Sequence, residues 1–130
     1  MKDIALLFLR GFIGAFMLFG HGLSKLQQLL SGTEIKFANP IGLGAGLSLT
    51  LSTFAEFFCS ALLILGIFPR VSLSLLIINM FVAGIIYHAP DPFATKEKAL
   101  IYLVIFVSLF ILGTGKYSLN KFLPSKYQKL

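Results

Sequence analysis

The residues best suited to chemistry are four ionisable side chains that lie within or at the end of apolar stretches. Glu56 lies near the middle of residues 47–68, a stretch long enough to cross a membrane that carries no other charge. Arg10, His21 and Lys25 lie in or at the end of another apolar stretch. An ionised side chain at the centre of a bilayer costs from roughly 3 to over 10 kcal/mol, so such residues usually face a bundle interior and indicate a functional site. We therefore expect Glu56 to have a partner from this set.

The first candidate partner of Glu56 is Arg10. If the amino terminus lies on the inner side of the membrane, these residues differ in depth by only a few positions, and the long guanidinium can reach the carboxylate. The sequence predicts a charge-assisted pair between them in a low-dielectric interior. The alternative interpretation is that this pair only locks two helices together.

His21 has two interpretations. An imidazole is easily tuned near neutral pH, so it suits a proton carrier or a hydrogen-bond donor to a ligand carbonyl, whereas the alternative is a packing histidine. Lys25 either meets an anionic group or extends its ammonium to the membrane interface. Our candidate catalytic residues are His21 and Glu56. The candidate ligand-binding residues are Arg10, His21, Lys25, Glu56 and Asn79.

Metal and haem sites have little support in the sequence. His21 and His88 would both lie toward the outer face, but Pro90 indicates that the helix bearing His88 is already ending. No close ligand spacing such as HxxxH occurs. Cys59 is the only cysteine, which excludes an intrachain disulfide or a CxxC centre. We expect no metal and no haem.

The elements that must position these residues are membrane helices. The chain is 57% hydrophobic and only 12% charged, with a mean hydropathy of +0.90, which lies outside the range of soluble domains. The sequence predicts a single all-α domain, residues 1–130, with spans at about 4–24, 47–68, 71–89 and 99–115. An outer loop at 27–46 could cap the bundle mouth.

The distribution of basic residues predicts that both termini lie in the cytoplasm. Six basic residues fall on the side of the termini, and four fall on the other side, where three acidic residues oppose them. The first set is Lys2, Arg70, Lys116, Lys121, Lys126 and Lys129, and the second is Lys25, Lys36, Lys96 and Lys98. The net charge of +6 then reflects topology and anionic lipid, and nothing in the sequence supports nucleic-acid binding.

Four motifs occur in order along the chain and together resemble the DoxX family of small four-helix membrane proteins. They read LRG at 9–11, FGHGLSKL at 19–26, AE at 55–56 followed by LGI at 65–67 and Arg70, and GTGKYSLN at 113–120. The last motif has Thr114 where the family commonly has proline and Asn120 where it commonly has aspartate. We expect both departures to lie in a surface turn.

The resemblance implies a multi-pass protein of a bacterial inner membrane. Members of that family include the small subunit of a thiosulfate:quinone oxidoreductase and proteins associated with redox-stress complexes. Its polar signature is carried by Arg10, His21, Lys25 and Glu56.

These observations lead to one function hypothesis and two alternatives. The first is the membrane subunit of a quinone-linked redox system, which would bind a quinone or similar lipid-soluble ligand at the charged core and receive electrons from a partner subunit. The alternatives are a non-catalytic scaffold that recruits redox or detoxification proteins, and a small proton-coupled transporter. A quinone site should open laterally to lipid. A homo-oligomer is compatible with such a small bundle.

Overall fold

The protein folds entirely into helices, as the composition predicts. A computed structural model describes residues 1–130 and contains no strand. Its long helices are α1 (Lys2–Leu30), α2 (Ala45–Leu65), α3 (Pro69–Tyr87) and α4 (Phe93–Leu112), and a short 3₁₀ helix follows at Leu119–Phe122. The all-α class is therefore confirmed.

Three of these helices, α1, α2 and α3, are long and apolar enough to cross a membrane. Their outward faces carry large apolar side chains, including Phe8, Phe16 and Phe19 on α1, which are unusual on a surface that faces water. α4 is as long as a span, but Lys96, Glu97 and Lys98 lie in its first two turns. Its crossing of the membrane stays a prediction.

The helix ends differ from the predicted span ends, and at the α2–α3 turn the backbone geometry explains where the helices end and begin. α1 continues past residue 24 to Leu30, and α4 begins six residues before Ala99. α2 ends at Gly66, whose left-handed backbone (φ +73°) suits glycine, and Pro69 then begins α3 at a position where a missing N–H costs nothing. α2 and α3 therefore form a tight hairpin.

A direct backbone contact joins α1 to α2. A Cβ on Gly22 would collide with the backbone of Glu56 and Phe57, and a Cβ on Gly14 would collide with Ile64. Glycine is needed at both positions because the two helices approach more closely than side chains allow. At the contact of Gly22 with Glu56 and Phe57, both helices are wound into wider π-helical turns, Leu18–Gly22 in α1 and Phe54–Cys59 in α2.

The chain termini and the α2–α3 turn lie together at one end of the molecule. Residues 113–130, which we call the C-terminal cap, fold over this end: Asp3 accepts a hydrogen bond from the Lys116 backbone N–H (3.1 Å), and the Leu130 carbonyl accepts one from Val71 N–H (2.7 Å). Residues 31–44, which we call the roof loop, lie at the opposite end between α1 and α2.

Candidate functional site

An ion pair between α1 and α2 is the centre of the site. The Lys25 ammonium donates a hydrogen bond to Glu56 Oε2 at a distance of 2.5 Å, and Glu56 itself is only 4% exposed. The geometry follows from the glycine contact: Gly22 brings the α1 backbone against that of Glu56, and Lys25 lies about one helical turn further along α1. The extension of α1 beyond residue 24 keeps Lys25 on a rigid helix.

The second carboxylate oxygen of Glu56 connects the pair to α3. Asn79 Nδ2 donates to Glu56 Oε1 (2.8 Å), and the Ser52 hydroxyl donates to Asn79 Oδ1 (2.8 Å). The carboxylate accepts only, so the Asn79 amide nitrogen must face it, which fixes the amide orientation. We call Lys25, Ser52, Glu56 and Asn79 the polar floor; it joins three helices.

The polar floor keeps unused hydrogen-bonding capacity. An ammonium has three N–H donors and an amide nitrogen two, and Lys25 and Asn79 each use one of these on Glu56. The Lys25 side chain is 20% exposed, so a ligand can reach its ammonium group. Buried polar groups are normally saturated, so spare donors beside a cavity point to a ligand that would accept from them.

These four residues lie at the base of a cavity of about 360 Å³ between α2, α3 and the roof loop, which we call the α2–α3 cavity. Its volume falls within the range of small-molecule sites, about 300–1,000 Å³, and its walls are mainly apolar, as such sites usually are. The wall residues contributed by the two helices include Leu51, Phe54, Leu75, Ile78, Val82 and Ala83.

The roof loop borders the cavity at the end opposite the termini. Phe37, Pro40 and Ile41 contribute to the lining, and Lys25 Nζ lies 6.0 Å from the centre of the Phe37 ring. Two side-chain hydrogen bonds hold the loop in place: Gln28 donates to the Lys36 carbonyl (3.1 Å), and Asn39 accepts from Gly44 N–H (2.7 Å). The predicted capping loop thus lies at the cavity mouth and presents apolar side chains to it.

The two histidines have different places. His88 lines the α2–α3 cavity, and its Nδ1 lies 2.8 Å from Asp91 Oδ2. His21 does not line the cavity; its ring packs edge-on against Tyr102 of α4, with the ring centres 5.5 Å apart. No group of three or more His, Cys, Asp or Glu side chains lies close enough to hold a metal ion.

The predicted pair between Arg10 and Glu56 is wrong. Arg10 is only 1% exposed, and its guanidinium donates instead to the backbone carbonyls of Thr114 (2.7 Å) and Tyr117 (2.6 Å) in the C-terminal cap. The expected surface turn is also wrong at Thr114, which is buried. Backbone carbonyls leave no signature in the sequence, whereas Glu56 offered an obvious opposite charge, so the prediction favoured the carboxylate.

The structure therefore brings three of the five predicted ligand-binding residues together, namely Lys25, Glu56 and Asn79, and leaves Arg10 and His21 outside the cavity. Sequence reasoning did not include Ser52 in the site, although a spacing of four residues puts Ser52 and Glu56 on one face of a helix. It missed the roof-loop lining, because glycine and proline in that segment indicate a loop but do not say which side chains it presents.

Comparison with known proteins gives one match. Residues 5–89 match the family model of DoxX. No curated protein and no solved structure matches the chain significantly. The matched residues include the whole polar floor and the α1–α2 contact, and they end before α4.

Proposed function

The chain belongs to the DoxX family, and we propose that it binds a quinone or a similar lipid-soluble ligand in the α2–α3 cavity as the membrane subunit of a redox system. The observation that carries the proposal is the polar floor: a buried carboxylate that holds an ammonium and an amide, each with donors to spare, at the base of an apolar cavity. This combination suits an apolar molecule that presents a carbonyl oxygen.

The cavity residues fit a quinone. Lys25 and Asn79 can each donate to a ring carbonyl oxygen, and Glu56 orients both donors through its two carboxylate oxygens. The flat ring has apolar and aromatic walls to lie against, including Phe54 and Tyr87. A bound quinone supplies the capacity to accept two electrons and two protons. The ammonium of Lys25 and the carboxylate of Glu56 form a unit that can hold or release a proton beside the carbonyl.

The electrons in this proposal come from another subunit. The only cysteine, Cys59, is buried among apolar side chains and lies outside the cavity lining, so the cavity contains no thiol. A partner protein is therefore part of the proposal, as is a catalytic contribution of Glu56. His21 does not line the cavity, so the proposal gives it no contact with the ligand.

We also propose four crossings of a bacterial inner membrane, with both termini in the cytoplasm. The N-terminus, the α2–α3 turn and the C-terminal cap lie at one end, and this end collects the larger set of basic residues. The other end carries the roof loop and the acidic residues Glu34, Asp91 and Glu97. α4, with exposed Ile101, Val104 and Ile111, then forms the fourth span.

Analysis of copurifying small molecules tests the proposal. Wild type, Glu56→Gln and the control Glu97→Gln would be purified in mild detergent and extracted for mass analysis; Glu97 is an exposed carboxylate near the start of α4, outside the α2–α3 cavity. We expect a quinone in wild type and Glu97→Gln that is lost in Glu56→Gln. Phospholipid alone in all three would contradict the proposal and favour a scaffold.

A further inference from the structure

Several side chains that line the α2–α3 cavity are also exposed at the outer surface: Ile41 and Leu43 in the roof loop, Tyr87 at the end of α3, and three residues nearer the middle of α2 and α3. Leu51 and Phe54 on α2 and Ile78 on α3 all line the α2–α3 cavity, yet they are 51%, 49% and 59% exposed. Residues that wall a cavity inside and remain half exposed outside mark an opening in it. We call these three residues the seam.

The seam lies at the depth of the polar floor. Phe54 precedes Glu56 by two residues, and Ile78 is next to Asn79, which is hydrogen-bonded to Glu56. Both helices are apolar enough to cross a membrane, and Glu56 lies near the middle of α2. In a membrane crossed by α2 and α3, an opening at this position lies at the depth of the hydrocarbon core.

The cavity has a second edge at the end opposite the termini, where the roof loop borders it and Ile41 is itself 51% exposed. The roof loop lies there with Phe37, Pro40 and Ile41 against the cavity, and its hydrogen bonds to Gln28 and within residues 39–44 hold it. An apolar roof and an apolar side opening favour a molecule that arrives dissolved in the membrane.

We propose that the ligand is an amphiphile with a long apolar chain, which places its carbonyl-bearing head on Lys25 and Asn79 and its chain through the seam into the bilayer. This inference rests on the proposed function, and it adds the class of ligand: a tailed lipid, as opposed to a water-soluble ring compound. Leu51, Phe54 and Ile78 then act as specificity-determining residues, because the chain must pass between them.

The test compares two probes in lipid nanodiscs, para-benzoquinone carrying a decyl chain and the same ring carrying a methyl group, at equal mole fraction in the bilayer. The proteins are wild type, Ile78→Trp, Glu56→Gln and the control Ile85→Trp. Ile85 is also on α3 and exposed but does not line the cavity. Leu51→Trp repeats the obstruction from α2, in case the α3 variant does not fold.

We expect a tryptophan at position 78 to weaken binding of the decyl probe by about tenfold or more through steric obstruction, with the methyl probe changed by less than about twofold. Ile85→Trp should leave both unchanged, and Glu56→Gln should weaken both. Equal effects of Ile78→Trp on the two probes, or no effect on either while Glu56→Gln weakens both, would overturn the tail exit and leave the proposed function standing. Binding of both probes that survives Glu56→Gln would overturn the proposed function itself.

Discussion

The protein has two buried polar centres, and they differ in what satisfies them. At one end, the Arg10 guanidinium donates to two backbone carbonyls of the C-terminal cap and lies outside the α2–α3 cavity. In the second centre, the side chains of Lys25, Glu56 and Asn79, which come from three helices, are hydrogen-bonded to one another and lie beside that cavity. A charge held by the backbone away from any cavity fastens the fold, whereas a side-chain network with spare donors beside a cavity is available to a ligand.

The difference also shows in the elements involved. Arg10 connects α1 to residues 114 and 117, outside the part of the chain that matches the family model, while the polar floor lies wholly within it. Burying a cation without a carboxylate depends on carbonyl dipoles, and the Arg10 Nε is buried with no partner. We infer that Arg10 stabilises the cap and that Lys25 and Glu56 support binding. The following variants separate these roles.

The largest effect on stability should come from breaking the ion pair on one side. Lys25→Met leaves the Glu56 carboxylate buried without its counter-charge, which costs about 3–5 kcal/mol for a buried pair. Glu56→Gln alone releases Lys25, which can then extend to the membrane interface. The double variant Lys25→Met/Glu56→Gln should recover most of the lost stability, because no unpaired charge remains. Unfolding in a titration with a denaturing detergent measures all three, and strictly additive losses would contradict the pairing.

A somewhat smaller effect is expected from Arg10→Met. The buried carbonyl of Thr114 loses its donor, which costs about 1–3 kcal/mol, whereas the partly buried carbonyl of Tyr117 can bond to water instead. Trypsin cleavage at Lys116 and Lys121, followed by mass analysis, should become faster as the cap loosens. Unchanged cleavage of the C-terminal cap would show that Arg10 does not hold it.

The α1–α2 contact should respond to a single methyl group. Gly22→Ala places a Cβ against the Glu56 backbone, and forcing the helices apart costs about 1–3 kcal/mol. Gly20→Ala is the matched control, since nothing lies within 4 Å of a Cβ there. Thermal unfolding and ligand binding should fall together in Gly22→Ala and stay near wild type in Gly20→Ala. Equal results for the two variants would mean that the close approach is unimportant.

The smallest effect should come from Ser52→Ala. Ser52 only orients the Asn79 amide, and hydrogen bonds between membrane helices average about 0.6 kcal/mol. We expect a loss of about threefold in ligand affinity, which corresponds to that energy, with little change in stability. A loss as large as that in Glu56→Gln would indicate that Ser52 contacts the ligand directly.

The sequence was a good guide where the signal is carried by side chains. Long apolar runs predicted the helices, and the isolated charge in residues 47–68 identified Glu56 as a buried group. Asn79 was among the candidate ligand-binding residues, and the spacing of four residues between Ser52 and Glu56 is that of one helical face. Their hydrogen bonds link them in the structure.

Prediction from the sequence failed where the hydrogen-bond partner of a side chain is a backbone group. It also failed where the position of a helix end determines which group a side chain reaches. Arg10 was assigned to Glu56 because carbonyls 104 and 107 residues away cannot be recognised in a sequence. Lys25 had two interpretations, an anionic partner or the membrane interface, and the first span was predicted to end at residue 24; in the structure the helix continues to Leu30 and Lys25 pairs with Glu56. The roof loop has no periodicity from which its buried side could be predicted.

One measurement tests most directly whether the two centres have different roles. It is the dissociation constant of decyl-substituted para-benzoquinone, determined by calorimetry in detergent micelles. It would be compared for wild type, Lys25→Met/Glu56→Gln and Arg10→Lys, each first shown to be folded. We predict a loss of about tenfold or more in the double variant, equivalent to about 1.4 kcal/mol, and wild-type affinity in Arg10→Lys. Lost affinity in Arg10→Lys with full affinity in the double variant would contradict the assignment of the two centres.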